Sequence, residues 1–383
     1  MKRLLLLWFL FLALAATGYT QNVFDPNDPI VRYDPTKPYG SAQLPDTNQL
    51  GLQKWVSKPT NGVSLGTDAW NASSFKQYFL YARFGTDQQG NPIEGKMAFR
   101  IKFPKSFNDP DSAGKKYPID LFLHGGGEVG CSTNGALYNN EKQLWLGGQL
   151  FMQYADQNKF DGFLVYPQLN VSGACFFGWG NARYTNYRVV LAMIDSLAKY
   201  VRADIDRLLI TGLSGGGYGA WEFAENYPQR VTKIMPSAAQ GMTNDNTRPN
   251  FVHIPIWFAT GGLDLDPSPK QAADVLYAMK KIGADIRYTQ YPDRGHSMWY
   301  QHWREPDFAA EMNDMHKANP LIFFQHNEFC DPNQIDAKLG ITQGFYAYEW
   351  QKDDQTIATK TGNTSVIVNQ LPIIEFEGNN IRV

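Results

Sequence analysis

The chain has 383 residues, 43% of them hydrophobic and 19% charged, with 35 Lys and Arg against 37 Asp and Glu for a formal net charge of -2. This excludes a disordered chain, a coiled coil and a polytopic membrane protein, because apolar material is ample and no second long apolar run follows the first. The near-neutral balance, without a basic stripe, gives no electrostatic footprint for nucleic acid or an anionic membrane.

Lys2 and Arg3 precede an apolar run from Leu4 to Ala16, followed by small and polar residues up to Gln21. A short basic start and an apolar run too brief to span a bilayer predict a signal peptide over residues 1–20. The mature protein is then expected to be exported, secreted or periplasmic, with no membrane span. Export permits disulfides, and of Cys131, Cys175 and Cys330 at most one internal pair forms. Cysteine spacing matches no zinc motif and the six His are scattered, so the sequence implies neither a metal nor an organic cofactor.

Residues 21–95 read as an extended segment leading into the first strands. Residues 77–84 are strand-like, and 97–103 alternate at period two until Pro104 stops them. Short apolar runs at 119–123, 163–166, 208–210 and 254–258 then alternate with helical patterns at 187–201, 217–227 and 270–282. That alternation predicts an α/β domain over 96–317, a mostly parallel sheet with helices on both faces. Residues 318–383 change character: 345–354 and 364–368 read as strand, polar turn, strand, which predicts a small β module.

The strongest chemical signal is Gly212-Leu213-Ser214-Gly215-Gly216, directly after a predicted strand and at the start of a helix. A Ser on that sharp turn presents its hydroxyl as a nucleophile, and the glycines remove side chains that would clash there. A bare Gly-x-Ser-x-Gly is weak; the strand-turn-helix setting gives it meaning. A phosphate-cradling loop would need a Lys or a dinucleotide spacing, which are absent. The run His124-Gly125-Gly126-Gly127 ends an earlier strand and suits an oxyanion hole, built from the amide of Gly126, or less favourably Gly125, together with that of Gly215. His124 is expected to orient this loop.

Chain order Ser, acid, His places the base late. His296 stands in a loop just after the predicted strand 286–291, whereas His302 falls in a helical stretch, so His296 is the candidate base. Asp264 and Asp266, in the turn after strand 254–258, both qualify as the acid that orients it.

Together these residues resemble the α/β-hydrolase superfamily, in particular its secreted prolyl-oligopeptidase-like esterases and the feruloyl and acetylxylan esterases of carbohydrate esterase family 1. The resemblance covers residues 96–315 and is carried by Phe122-Leu123-His124-Gly125-Gly126-Gly127-Glu128, by Asp206 to Ser214, by Gly261-Gly262-Leu263-Asp264 and by Gly295-His296-Ser297-Met298-Trp299. It favours Asp264 over Asp266. It implies an α/β-hydrolase fold and a serine esterase acting on carboxylic esters, either small esters or those of plant cell-wall polysaccharide. The tail resembles an immunoglobulin-like module, though it is short for a sandwich of usually about 100 residues.

In that fold the strands before Cys131 and Cys175 are neighbours, so a Cys131–Cys175 disulfide is expected to brace the oxyanion loop. Phe176, Phe177, Trp179 and Trp299 lie in or beside the catalytic loops and are candidates for stacking on acyl or sugar groups, although Trp299 as core and the Phe pair as a loop anchor read almost as well. Two competing readings are a peptidase on the same scaffold and a non-catalytic carbohydrate-binding protein.

Overall fold

The computed structural model describes residues 48–54, 74–129, 142–169, 179, 183–241 and 246–315, and the backbone of short strands after residue 321. The signal-peptide segment and Cys131, Cys175, Phe176 and Phe177 lie outside the described residues, and so does the expected disulfide.

Nine strands form one sheet: β1 (Gly51–Lys54), β2 (Lys76–Thr86), β3 (Pro92–Lys102), β4 (Tyr117–Leu123), β5 (Phe163–Gln168), β6 (Ala203–Leu213), β7 (Lys233–Ser237), β8 (Ile256–Gly261) and β9 (Ile286–Tyr291). Their order is β1-β2-β3-β5-β4-β6-β7-β8-β9. The first four in that order pair antiparallel, and from β5 to β9 all pairs are parallel. Among the described residues six helices cover it: α1 (Gly148–Asp156), α2 (Arg183–Tyr200), α3 (Gly215–Asn226), α4 (Pro269–Lys281), α5 (Trp299–Trp303) and α6 (Phe308–Asn313).

Every residue of β4 is buried, as a central parallel strand requires. Ile119, Leu121 and Leu123 share one core with Val190, Met193, Ala220, Phe223 and Met279 of α2, α3 and α4. Phe122 faces the opposite way, among Phe151 of α1, Trp303 of α5 and Phe308 of α6. Side-chain alternation at period two thus serves two helical layers at once. This is the α/β-hydrolase fold. The chain leaves β4 for β5 on one side and returns to β6 on the other, so the neighbouring ends of β4 and β6 form the topological switch point where open α/β sheets hold ligands.

The predicted helices are observed with shifts of only a few residues. β7 and α1 were not expected, because β7 carries Lys233 and Pro236 in place of an apolar run. Lys233 is buried in an ion pair with Glu311 of α6, a partner distant in sequence. α4 begins with a capping box: Ser268 Oγ accepts from the Gln271 amide while the Gln271 side chain accepts from the Ser268 amide. No helix among the described residues is long and apolar enough to cross a membrane.

Beyond residue 321 the described backbone is strand throughout. β10 (Ile322–His326), β11 (Ala337–Ile341) and β14 (Ile367–Val368) form one antiparallel sheet; β13 (Gln355–Thr361), β12 (Ala347–Lys352) and β15 (Ile381–Arg382) form another. The partners of β12 are therefore the Thr-rich β13 and the short β15, where the sequence pointed to 364–368. Thr suits a pleated strand as well as Val does, and a reading weighted to apolar residues passes over it.

Candidate active site

β6 ends at Leu213 and α3 starts at Gly215, leaving Ser214 alone in the turn with φ 49° and ψ -121°. A non-Gly residue with positive φ is strained, and the strain is held by its surroundings. The Ser214 amide donates to Ser237 O at the end of β7 at 2.9 Å. The turn also has no room beneath it: a Cβ on Gly216 would stand 1.9 Å from Leu123 O, and one on Gly212 would stand 2.7 Å from Gly216 O. The glycines flanking the Ser therefore let the elbow sit directly on the end of β4.

Ser214 Oγ lies 2.7 Å from His296 Nε2, and His296 Nδ1 lies 2.8 Å from Asp264 Oδ2. The two turns carrying acid and base are stitched together by backbone bonds from Gly262 to Tyr291 O at 2.7 Å and from Leu263 to Arg294 O at 2.8 Å. A side chain on Gly261 would strike Gly295 O at 2.3 Å, so that glycine is required by the close approach. Asp264 is buried to 4% side-chain exposure while His296 keeps 41%, an arrangement in which the carboxylate is shielded and the imidazole remains open on the Ser side. Asp266 does not reach His296. Its carboxylate accepts from Tyr218 Oη at 3.0 Å, and its amide donates to Asp264 Oδ1 at 3.1 Å.

His124 is buried behind the oxyanion turn. Its Nε2 accepts from the Leu169 amide at 2.9 Å, so its proton is on Nδ1, which donates to Gly125 O at 2.8 Å. Carbonyl and amide point in opposite directions across a trans peptide, so turning Gly125 O toward the imidazole turns the Gly126 amide away from it. Gly126 opens the 3-10 turn Gly126–Glu128 and Gly215 opens α3. Amides at such first positions have no partner within their own turn.

The expectation of an open Trp179 is corrected. Its side chain is buried at 1% exposure, its Nε1 donates to His124 O at 3.0 Å, and its ring lies against Gly219 of α3 and, tilted, 5.2 Å from the His124 ring. It braces the oxyanion turn from behind and offers no face for stacking. Trp299, 9% exposed, meets the His296 ring edge-on at 5.9 Å. His302 is in the core, with Nδ1 2.8 Å from Ser237 Oγ. Sequence reasoning missed Ser237, Tyr218 and Gln240, whose positions carry no motif. Among the described residues no cluster of His, Cys, Asp and Glu could hold a metal ion.

No protein-family model and no curated protein matches the chain. Similar solved structures include a thermostable esterase, 22% identical with a TM-score of 0.45, over 62% of each chain. The chain thus spans less than two thirds of that protein. A feruloyl esterase module from Clostridium thermocellum complexed with sinapinate is 14% identical at TM-score 0.44, over 73% of this chain and 100% of that one. An acylaminoacyl peptidase from Pyrococcus horikoshii is 15% identical at 0.43, over 64% of this chain and 42% of that one. Overlaps this loose carry no argument about activity or substrate.

Proposed function

We propose that the protein is an exported serine esterase acting through an acyl-enzyme. The observation that carries this reading is the unbroken hydrogen-bonded chain from Ser214 on its strained turn through His296 to Asp264. Ser214 Oγ attacks the ester carbonyl and passes its proton to His296 Nε2, while Asp264 holds the ring through Nδ1 and stabilises the imidazolium. The negative charge that develops on the carbonyl oxygen is received by the amides of Gly126 and Gly215. Collapse of the intermediate expels the alcohol, which takes the proton from His296. Water, deprotonated by His296, then attacks the acyl-Ser214 ester and frees the acid.

For substrate we propose carboxylic esters of plant cell-wall polysaccharide, feruloyl or acetyl xylan among them. The signal-like N-terminus, the strands after residue 321 and the Trp299 ring beside His296 support this; Trp179 does not. The test is labelling by a fluorophosphonate and turnover of p-nitrophenyl acetate, a feruloyl ester and a peptide anilide. Label and ester turnover lost together in Ser214→Ala and His296→Ala are expected. Turnover of the anilide alone would make the protein a peptidase, and an unlabelled wild-type protein would remove the hydrolase reading.

A further inference from the structure

Asp266 is not in contact with the base, yet it is not a bystander. The turn that presents Asp264 has little packing of its own, since Leu263 is 67% and Leu265 89% exposed. An exposed turn of this kind holds its shape through hydrogen bonds, and those of Asp266 lead in two directions. Its amide donates to Asp264 Oδ1 at 3.1 Å, leaving Oδ2 for His296. Its carboxylate accepts from the Tyr218 hydroxyl at 3.0 Å. Tyr218 is in the first turn of α3, where its amide donates to Ser214 O at 2.9 Å.

The bonds therefore close into a ring: Ser214 to His296, His296 to Asp264, Asp264 to Asp266, Asp266 to Tyr218, and Tyr218 back to Ser214. We propose that Tyr218 is a positioning residue that locks the acid turn to the nucleophile helix, acting through Asp266 and resting on the assignment of Ser214, His296 and Asp264 made above. Holding the Asp266 carboxylate also keeps a second negative group off the imidazole, so that Asp264 alone orients it. Tyr218 Oη stands 3.1 Å from Gln240 Oε1 as well, but a phenol has one hydrogen to give. The charged carboxylate takes it, and the Gln240 amide serves the phenol oxygen when its NH2 is turned inward. Burial, with Asp266 and Asp264 adding to it, raises the phenol above its ordinary range, which favours the form that donates.

The experiment measures kcat and KM for p-nitrophenyl acetate in Tyr218→Phe, Asp266→Ala, Asp266→Asn and the Tyr218→Phe/Asp266→Ala double variant, with thermal unfolding run alongside. Tyr218→Phe should lower kcat about tenfold with KM unchanged, because a loosened acid turn misplaces the base without touching substrate. Asp266→Ala should match it, and the double variant should be no worse than either single, since all three break the same link. Asp266→Asn keeps an acceptor for the phenol and should recover most of what Asp266→Ala loses. Losses that multiply, an unchanged kcat in Tyr218→Phe, or a change in KM alone would overturn the proposal. Wild-type protein that takes the fluorophosphonate label while Tyr218→Phe labels equally fast sinks this inference only; wild-type protein that takes no label removes the esterase reading with it.

Discussion

The side chains of His302 and Ser237 meet at 2.8 Å, and the carbonyl of the same Ser237 receives the Ser214 amide. The helix that follows the base is thereby tied to the strand end on which the nucleophile turn rests. His302 is enclosed by Trp257 and Phe308, whose rings stand edge-on at 4.8 and 5.1 Å. Burial first, and the positive Arg287 second, push its pKa down to about 3, so the ring is neutral in the folded protein.

A pH dependence of stability follows. An unfolded His protonates below about 6.5, whereas the folded one resists until about pH 3, so its contribution to stability is complete above 6.5 and is withdrawn as pH falls toward 3. Each pH unit in that window withdraws up to about 1.4 kcal/mol. His302→Asn, which keeps a polar atom near Ser237, should unfold in urea with a shallower dependence on pH between 6.5 and 4. An equal slope in both proteins would show that His302 is not the buried neutral base described.

Asp120 gives the opposite sign. It sits fully buried in β4, accepts from Thr211 Oγ1 at 2.8 Å, and burial raises its pKa to about 8. A carboxyl raised in the folded state contributes most below its unfolded value near 3.8, and that contribution is lost as pH rises through about 8. Asp120→Asn preserves the shape and the acceptor for Thr211 but has no proton to lose. Its unfolding temperature should gain on the wild type from pH 5 to about pH 8 and level off above that; parallel curves from pH 5 to 8 would refute the assignment.

Glycines 216 and 127 should behave oppositely on conversion to Ala. The new Cβ at 216 meets backbone, Leu123 O at 1.9 Å, whereas at 127 nothing lies within 4 Å. Gly216→Ala should cost about 3 kcal/mol or more, or fail to fold, because neither strand nor helix can withdraw. Gly127→Ala should stay within about 0.5 kcal/mol of wild type in a urea melt.

Trp179→Phe removes the donor to His124 O and leaves a buried carbonyl without that bond, at about 1–3 kcal/mol. As a brace behind the oxyanion turn, Trp179 should affect every ester alike. Steady-state rates on p-nitrophenyl acetate and on a feruloylated oligosaccharide should fall by the same factor. A loss confined to the oligosaccharide would restore it as a sugar platform.

The motif at Ser214 and the turn of Asp264 were legible because each follows a run of apolar strand residues, and the loop of His296 because it follows a strand at the place in chain order where the base is expected. The choice of acid was less so: Asp264 and Asp266 share one turn, and it takes the backbone bonds between that turn and residues 291–294, with Tyr218 holding Asp266, to bring the first and not the second to His296. Trp179 misled because nearness in sequence to a catalytic loop does not say which side of the loop a ring occupies. Tyr218 and Gln240 had no signal, since Tyr218 matters by meeting Asp266 and Gln240 by meeting Tyr218, contacts between separate segments of the chain.

The stitching of the two turns has a consequence for how this protein can be rebuilt. Asp264 and His296 are 32 positions apart, yet their spacing is set by the register of two adjacent strand ends and not by the length of chain between them. The helix Pro269–Lys281 is, for that pair, a detour. Gly283, exposed and with φ +82°, lies on the way back from it. Gly283 and Ala284 close the end of that helix through their amides, so extra residues grafted at Gly283 would loosen its last turn and lengthen the detour, while the span from carboxylate to imidazole, 13 residues downstream, is expected to stay as it is.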